Sequence, residues 1–266
     1  MATNVQSVRS SAFSETWLSV RFELLKHLKR RRLLILVALA ILLPLFPLIR
    51  TPDTAAQFAA NSLSFMTVLI IVSAAMFAGD AVCGEFEKKT SLLLFPTPQS
   101  RASIFAGKYV AALLCTFLVV SLWYLVLTLE TGVLYGWGEM PAELWKSFAT
   151  ALIFSTAAVS VAFFISSVLN RSISATIFVF LILMMIMPLA TMIMTLLDWE
   201  PWFIVTYSAN LITTVLGVSS RLPMGPHGGD VVQQFTPTFG RGVAVMAIYA
   251  VVGLAAGMGI AVRKED

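Results

Sequence analysis

Apolar residues in this chain fall into six long uncharged runs that are separated by shorter polar segments. Each run has about 20 residues, the length of helix that crosses ~30 Å of hydrocarbon. The runs lack the polar alternation of barrel strands, and an open sheet would leave backbone groups unpaired in lipid. The pattern predicts six membrane-spanning helices, at about residues 33–49, 62–79, 108–129, 147–169, 173–197 and 242–262.

The composition agrees with this pattern. Of the 266 residues, 58% are hydrophobic and 12% are charged, and the mean hydropathy is +0.87. Such a chain is too apolar for a soluble domain, so we expect an all-α polytopic membrane protein. A signal peptide is the alternative for the first run. The charged stretch before this run is long, Pro44 and Pro47 interrupt the run, and no small-residue cleavage site follows it. We therefore treat the run as a membrane span.

Basic residues are distributed unevenly among the segments between the spans. With the N-terminus in the cytoplasm, the inner segments contain 14 of the 18 Lys and Arg residues. The outer segments then contain only Arg50, Lys146, Arg221 and Arg241. Inner segments of membrane proteins carry an excess of Lys and Arg. The sequence therefore predicts a multi-pass protein of the plasma membrane with both termini in the cytoplasm.

Residues 201–218 are apolar enough to suggest a seventh span. A seventh crossing would place Arg263 and Lys264 outside, against the distribution of basic residues. We therefore predict an external segment over residues 198–240, with Trp199 and Trp202 at the membrane interface. Its short helices either enter the edge of the bilayer or form an ordinary loop, and the sequence leaves both open.

Residues 1–32 are predicted to be a cytoplasmic N-terminal region, and residues 33–266 a six-helix permease domain. Within the N-terminal region, SETWLSVRFELLKHLKR is amphipathic, with Ser14 as a candidate cap. One face is apolar and the other charged. The apolar face contains Trp17, Leu18, Leu24, Leu25 and Leu28, and the charged face contains Glu23, Lys26 and Arg30. We expect this helix to lie on the lipids of the inner leaflet.

Between the second and third spans the chain has a polar, helix-forming stretch, GEFEKKTSLLLFPTPQSRASIFAGK. We call residues 84–107 the elbow. Gly84 is predicted to end the preceding helix, Pro96 to end a short helix, and Thr97 with Pro98 to start another. The pattern predicts a bent cytoplasmic element suited to transmitting force to another protein. The alternative is a solvated loop whose charges only set the topology.

The elbow resembles the permease subunits of ABC type-2 exporters, which show E-x-E-x-G-T, then apolar residues, then T-P-x-S-R-x-x-I-x-x-G-K. The matching residues are Glu85, Glu87, Thr90, Thr97, Pro98, Ser100, Arg101, Ile104, Gly107 and Lys108. The sequence departs from the pattern at Lys89, where Gly is usual, and at Ser91 and Leu92, where Leu and Glu are usual.

This resemblance implies that the elbow contains a coupling helix that docks on a cytoplasmic ABC ATPase. It also implies a working unit of two permeases and two ATPases, with the substrate path between the permeases. The sequence contains no G-x-x-x-x-G-K-[ST] phosphate loop, since Tyr109 follows Gly107 and Lys108. We therefore expect no enzyme activity and no cofactor in this chain alone, ATP and Mg in the partner, and no nucleic-acid partner.

Other candidate chemistry is sparse. Methionines around Pro188 in the fifth run suggest a substrate path that includes Met184, Met185, Met187 and Thr191, or simply a packing helix kinked by proline. The Gly253-x-x-x-Gly257 motif is expected to pack within the subunit rather than at a dimer seam. Asp80 and Glu130 fall at the predicted span ends, which argues against a proton-coupled carrier.

Two other function classes remain open. A membrane scaffold would need only the spans and would tolerate changes in the elbow. A membrane-embedded enzyme would need a nucleophile with a base, or a metal cluster, at membrane depth, and the sequence offers neither. Cys83 and Cys115 have no metal-ligand spacing, and we expect both to be packing residues. For the permease we expect a hydrophobic or amphipathic substrate.

Single cysteines introduced into a cysteine-free variant test the orientation. A membrane-impermeant thiol reagent added outside cells should label positions near Asp53, Glu139 and Gly228, but not positions near Lys88 or Arg171. In permeabilised cells all five positions should react, which is the control. Labelling near Lys88 from outside would reverse the orientation.

Overall fold

The computed structural model describes residues 12–29, 31–87, 100–218 and 235–264. Within them the chain is all-α without a strand, and six helical segments are long and apolar enough to cross a membrane. In chain order these first to sixth spans are Arg31–Ile49, Ala55–Glu87, Arg101–Tyr135, Leu144–Val168, Ser172–Leu196 and Phe239–Arg263. The predicted fold class, an all-α polytopic membrane protein with six spans, is confirmed.

Twelve α-helices make up the described residues, several of them as pieces of one span. They are α1 (Ala12–Lys29), α2 (Arg31–Leu42), α3 (Ala55–Leu63), α4 (Met66–Ala78), α5 (Cys83–Glu87), α6 (Arg101–Tyr135), α7 (Leu144–Val168), α8 (Ser172–Leu181), α9 (Met187–Leu196), α10 (Val205–Ser208), α11 (Leu211–Thr214) and α12 (Phe239–Arg263). Tight 3₁₀ turns occupy Phe46–Arg50 and Trp137–Glu139, and a π-helical turn, Ile182–Ile186, joins α8 to α9.

The second, third and fourth spans form the centre of the bundle. In their most apolar 18-residue stretches, 67%, 50% and 61% of the residues are buried, against 11% in the fifth span and 17% in the sixth. Hydroxyl pairs join the third span to the fourth: Tyr109 to Ser160 at 2.9 Å and Tyr124 to Ser147 at 2.7 Å. The outer spans therefore present most of their apolar surface to the surrounding membrane.

Both described ends of the chain lie on one side of the bundle, which we call the basic side. The Lys264 ammonium, just after the sixth span, donates to the Leu169 carbonyl, just after the fourth, at 2.6 Å. On the opposite side the Tyr135 hydroxyl donates to the Pro52 carbonyl at 2.5 Å. An even number of crossings thus returns the chain to the side on which α1 lies.

The second span is divided at a different place from the one predicted. α4 ends at Ala78, and the chain turns over residues 79–82 before α5, so Gly84 lies inside a helix and its predicted role as a helix end is wrong. A Cβ on Gly79 would lie 3.2 Å from the Cα atom of Thr176 in the fifth span. The break therefore occurs where two backbones approach closely.

The third span is longer than predicted at both ends. α6 begins at Arg101, because the Ser100 hydroxyl caps it by accepting from the Ser103 amide at 3.1 Å, and it ends before Gly136, which has φ +90°. Arg101 and Gly107 of the elbow thus belong to the spanning helix itself. Glu130 lies inside this helix rather than at its end, which corrects the prediction.

The N-terminal helix begins at Ala12, so Ser14 lies in its first turn and is not its cap. The predicted apolar face is largely exposed, including Trp17 at 58% and Leu28 at 58%, whereas Leu24 packs against the bundle. Glu23 points towards the other helices, with 12% of its side chain exposed. The charged side of α1 therefore faces the protein, and its apolar side is left for lipid.

The sixth span packs closely on the fourth through its two motif glycines. A Cβ on Gly253 would lie 3.0 Å from the Ser160 carbonyl carbon, and a Cβ on Gly257 would lie 2.8 Å from Phe163. Neither position has room for a larger side chain. The prediction that this motif packs within the subunit is confirmed.

Residues 201–218 do not form a seventh span, as predicted. They contain α10, which is buried, and α11, whose first two residues are buried, and Ser147 of the fourth span donates to the Ile212 carbonyl at 2.6 Å. Trp199 and Trp202 are exposed. The described part of the external segment is therefore packed into the bundle as two short helices, unlike an ordinary loop, while residues 219–234 lie outside the described residues.

Glu130 has a carboxyl group whose two oxygens are buried and lack a hydrogen-bond partner in the described part of the chain. A buried carboxyl group without a partner costs on the order of 1–3 kcal/mol. Glu130→Leu should therefore raise the free energy of unfolding by about that amount, measured as thermal stability in detergent. Glu139→Leu, at an exposed site on the same side, is the matched control and should change little. A lower stability for Glu130→Leu would mean that the carboxyl group has a stabilising partner.

Candidate functional site

The base of the elbow lies on the basic side, where the second span ends. We call residues 80–87, which contain the end of the turn and α5, the root segment. Each of its contacts reaches a different element of the bundle. The contacts with α1 and with the first and third spans are ionic. Those with the fourth and fifth spans and with the residue after the sixth involve backbone groups or an aromatic ring.

Four charged side chains join the root segment to α1 and the third span. The Lys108 ammonium lies 2.5 Å from the Glu85 carboxylate and 3.5 Å from that of Glu23. Lys26 lies 2.6 Å from Glu23 and 3.6 Å from Glu85. Only 4% of the Lys108 side chain is exposed. The two lysines and two carboxylates balance in charge, which a buried cluster requires.

The surroundings of Glu23 show the strength of this ion cluster. Burial raises the pKa of Glu23, but the charges of Lys108 and Lys26 outweigh burial, so the pKa lies below its usual value. A lowered carboxylate pKa stabilises the fold above the unfolded value of 4.5, and that contribution is lost as the pH falls through the folded value. The Glu23 carboxylate is thus charged near neutral pH.

Gly107 allows α1 to approach the third span. A Cβ at this position would lie 2.4 Å from the Cβ of Ser19 and 3.1 Å from the carbonyl oxygen of Thr16. The Ser19 hydroxyl donates to the Ile104 carbonyl at 3.1 Å. Among the elbow residues, Gly107 therefore has a packing role, one residue before the buried Lys108.

Glu87 joins the root segment to the fifth span. Its carboxylate accepts a hydrogen bond of 2.7 Å from the backbone N–H of Ser172, the first residue of α8. Helix N-termini have unpaired N–H groups and a positive partial charge, so a carboxylate is stabilised there. The turn between the fourth and fifth spans is thus fastened to the elbow.

The fourth and sixth spans reach the root segment through other groups. The Ser166 hydroxyl accepts from the amides of Val82 and Cys83 at 3.0 and 3.3 Å. The Lys264 ammonium lies 5.3 Å from the centre of the Phe86 ring, within the range of a cation–π contact. Both spans therefore meet the root segment at their ends.

The first span completes the set. The Arg32 guanidinium donates to the Asp80 carboxylate at 3.0 Å. Asp80 is thus a partner of the first span rather than an intramembrane acid. The root segment now has a direct polar or cation–π contact with α1, with four other spans, and with the residue that follows the sixth span.

The remaining elbow residues divide into two groups. The Ser100 amide donates to the Glu15 carboxylate at 3.3 Å, and the Arg101 side chain is exposed at the start of the third span. Thr90, Thr97 and Pro98 lie outside the described residues. Of the nine predicted coupling residues, the structure therefore pairs Glu85 with Lys108, places Gly107 against α1 and Glu87 against the fifth span, and leaves Arg101 at the surface.

The candidate substrate-path residues of the fifth span do not share one face. Met184 and Met187 pack against the core, and Thr191 is half-buried with its hydroxyl donating to the Met187 carbonyl at 3.0 Å. Met185 is 62% exposed and points outward. The helix is not a regular packing helix either, because a π-helical turn precedes Pro188. The described residues contain no group of three His, Cys, Asp or Glu that could hold a metal ion.

Sequence reasoning missed five partners of the root segment: Arg32, Ser166, Ser172, Lys264, and the pairing of Lys26 with Glu85. One signal was available, because a lysine that opens an apolar run is expected to be paired. That signal predicts a carboxylate partner for Lys108 without saying which one. The other partners carry no local pattern.

Fold and site together define a polytopic membrane protein whose helix ends on the basic side converge on one short segment at the end of its second span. The chain belongs to the DUF2705 family, described as a protein of unknown function, whose family model matches residues 33–265. The match covers all but the first two residues of the first span and extends past the sixth, whereas α1 precedes it. No curated protein matches the chain.

Lys108→Met should destabilise the protein strongly. The change leaves Glu23 and Glu85 partly buried with only the half-exposed Lys26 between them, and breaking a buried pair in this way costs about 3 kcal/mol. Thermal unfolding in detergent measures the loss.

Lys146→Met, at an exposed site on the opposite side, is the matched control and should stay within about 0.5 kcal/mol of the unmodified protein. Adding Glu85→Gln to Lys108→Met should recover part of the loss, since it removes an uncompensated charge. A stable Lys108→Met protein would show that the ion cluster does not hold the basic side together.

Proposed function

We propose that this chain is the membrane-spanning permease subunit of an ATP-driven exporter of the ABC type-2 class. Two copies, or one copy with a related subunit, would work with two copies of a separate cytoplasmic ATPase that binds ATP and Mg. The observation that carries the proposal is the convergence of the inner helix ends on the root segment. A partner that moves the elbow would act on every span through residues 80–87.

The nature of these contacts supports a role in transmission. Charged and backbone hydrogen bonds at 2.5–3.0 Å are directional, so a displacement of Glu85 or Glu87 displaces Lys108 and the first turn of α8. Packed helices shift between discrete arrangements rather than deforming continuously. A small movement at the root segment would therefore reach the third and fifth spans as a movement of whole helix ends.

The proposal assigns different roles to the matched elbow residues. Glu85, Gly107 and Lys108 are buried or nearly so and hold the elbow to the bundle. Glu87 connects the elbow to the fifth span. Arg101 is exposed and is the described residue best placed to meet the ATPase. Docking then falls to Arg101 and to the elbow residues beyond Glu87.

The distribution of charge supports a cytoplasmic basic side in the plasma membrane. Ten of the basic residues with described positions lie there: Arg21, Lys26, Lys29, Arg31, Arg32, Arg101, Lys108, Arg171, Arg263 and Lys264. Arg50, Lys146 and Arg241 lie on the opposite side. A cytoplasmic ATPase would thus reach the elbow directly.

For the substrate path we propose the fifth span, with the exposed Met185 directed towards a second permease and with Met184, Met187 and Thr191 on the side that packs towards the subunit's own core. The fifth span is the least buried of the six, which supports a position at such an interface. Its surface is apolar, and the Thr191 hydroxyl is already bonded within the helix. Such a surface favours a hydrophobic or amphipathic substrate.

Coexpression with candidate ATPases tests the assembly and prepares the coupling assay. We expect a complex of two permeases with two ATPases, and no ATP hydrolysis by this chain purified alone. ATP hydrolysis by the purified chain alone would refute the assignment of ATP hydrolysis to a separate subunit. Failure of every ABC ATPase of the source genome to copurify with the chain would favour a membrane scaffold.

Arg101→Glu tests the coupling itself in reconstituted vesicles. The exposed side chain contributes only ~0–1 kcal/mol to stability, so insertion and thermal stability should remain near those of the unmodified protein. Substrate flux should fall at least tenfold while the ATPase rate per complex persists, because the reversed charge disturbs docking. Lys146→Glu, an exposed reversal on the opposite side, is the matched control and should transport normally. Normal flux through Arg101→Glu would exclude the elbow as the coupling element.

A further inference from the structure

A groove of about 610 Å³ opens on the basic side between the ends of the fourth and sixth spans. Its wall contains Val168, the last residue of α7, and Ala256 and Ile260 of α12. Val168 is 52% exposed and Ile260 is 37% exposed. The groove is therefore apolar along the two helices and open to the surrounding membrane.

Gly259 makes the groove wider on the side of the sixth span. A Cβ at this position would meet no atom within 4 Å, whereas Gly253 and Gly257 of the same helix pack against the fourth span. Helix packing therefore does not require glycine at position 259. The space beside Gly259 is therefore open.

Two cations, Arg263 and Lys264, lie at the end of the groove on the basic side. Lys264 donates to the carbonyls of Ser167 and Leu169, which leaves one of its three N–H donors. Burial lowers the pKa of Lys264, so the ammonium is incompletely compensated. The Arg263 side chain is exposed, and among the described residues no acidic side chain lines the groove. Glu265 and Asp266, which follow Lys264, lie outside the described residues.

We infer that this groove is a binding site for an acidic phospholipid. The headgroup phosphate would lie between Arg263 and Lys264, and an acyl chain would follow Ala256 and Ile260 past Gly259. Guanidinium and ammonium groups bind phosphate strongly, and basic pockets between spanning helices bind acidic headgroups. The apolar wall at membrane depth favours a lipid over a soluble phosphate.

The site does not depend on the proposed transport function or on the direction of the chain across the membrane. If the basic side is cytoplasmic, the lipid belongs to the inner leaflet. Loss of the ATPase interaction would leave the groove unchanged, so the two proposals fail separately.

Native mass spectrometry of the full chain in detergent tests the inference. Delipidated protein is titrated with phosphatidylglycerol or with phosphatidylcholine that has the same acyl chains. Each basic residue near an acidic headgroup contributes about fivefold in affinity, so phosphatidylglycerol should bind roughly 25-fold more tightly. Arg263→Gln should weaken phosphatidylglycerol binding about fivefold and leave phosphatidylcholine binding unchanged.

Gly259→Leu should weaken the binding of both lipids, because the new side chain fills the groove. Gly240→Leu, at the open position near the other end of the same helix, is its matched control. Arg171→Gln, exposed on the basic side and not part of the groove lining, is the control for Arg263→Gln. Both control variants should bind like the unmodified protein.

Equal affinity for the two lipids would overturn the inference, as would phosphatidylglycerol binding that persists unchanged in Arg263→Gln and Gly259→Leu. Arg263→Gln alters an exposed side chain, so its result does not depend on a folding defect. Glycerol 3-phosphate that binds as tightly as phosphatidylglycerol would assign the groove to a soluble phosphate instead.

Discussion

A buried lysine at the edge of the membrane determines how the basic side is built. Lys108 is 4% exposed, and an ammonium at such a position is stable only beside carboxylates. One carboxylate comes from the end of the second span and the other from α1, so one cation fixes three elements relative to one another. Gly107 permits this arrangement, because any larger residue there would hold α1 away from the third span.

The spans themselves could be predicted from the sequence, because lipid imposes an apolar run of defined length on every crossing. Their ends could not. The third span extends beyond its apolar run at both ends, since the Ser100 cap and the turn at Gly136 decide where backbone hydrogen bonding stops. The break in the second span occurs at Gly79, against the fifth span, and that contact is invisible in the local sequence, which pointed to Gly84.

The candidate site could likewise be predicted from the sequence only in part. A resemblance of the elbow to known permeases grouped Glu85, Gly107 and Lys108 as functional neighbours, and the structure places the three in adjoining contacts. The resemblance did not distinguish the buried residues of the elbow from the exposed ones, because both groups contain charged residues. The two groups differ in burial. Burial of a charge depends on partners such as Glu23 and Ser172, which lie far away along the chain.

The fifth span differs from its neighbours in how little holds it. It is the least buried of the six, and its helix changes to a π-helical turn just before Pro188, which has no N–H to contribute to the backbone ladder. The second, third and fourth spans are the most buried, and the fifth span lies beside them with an interruption in its helix. Its first turn is held by the carboxylate of Glu87. Among the spans, the fifth is therefore the least enclosed by its neighbours, and its fastened end lies against the elbow.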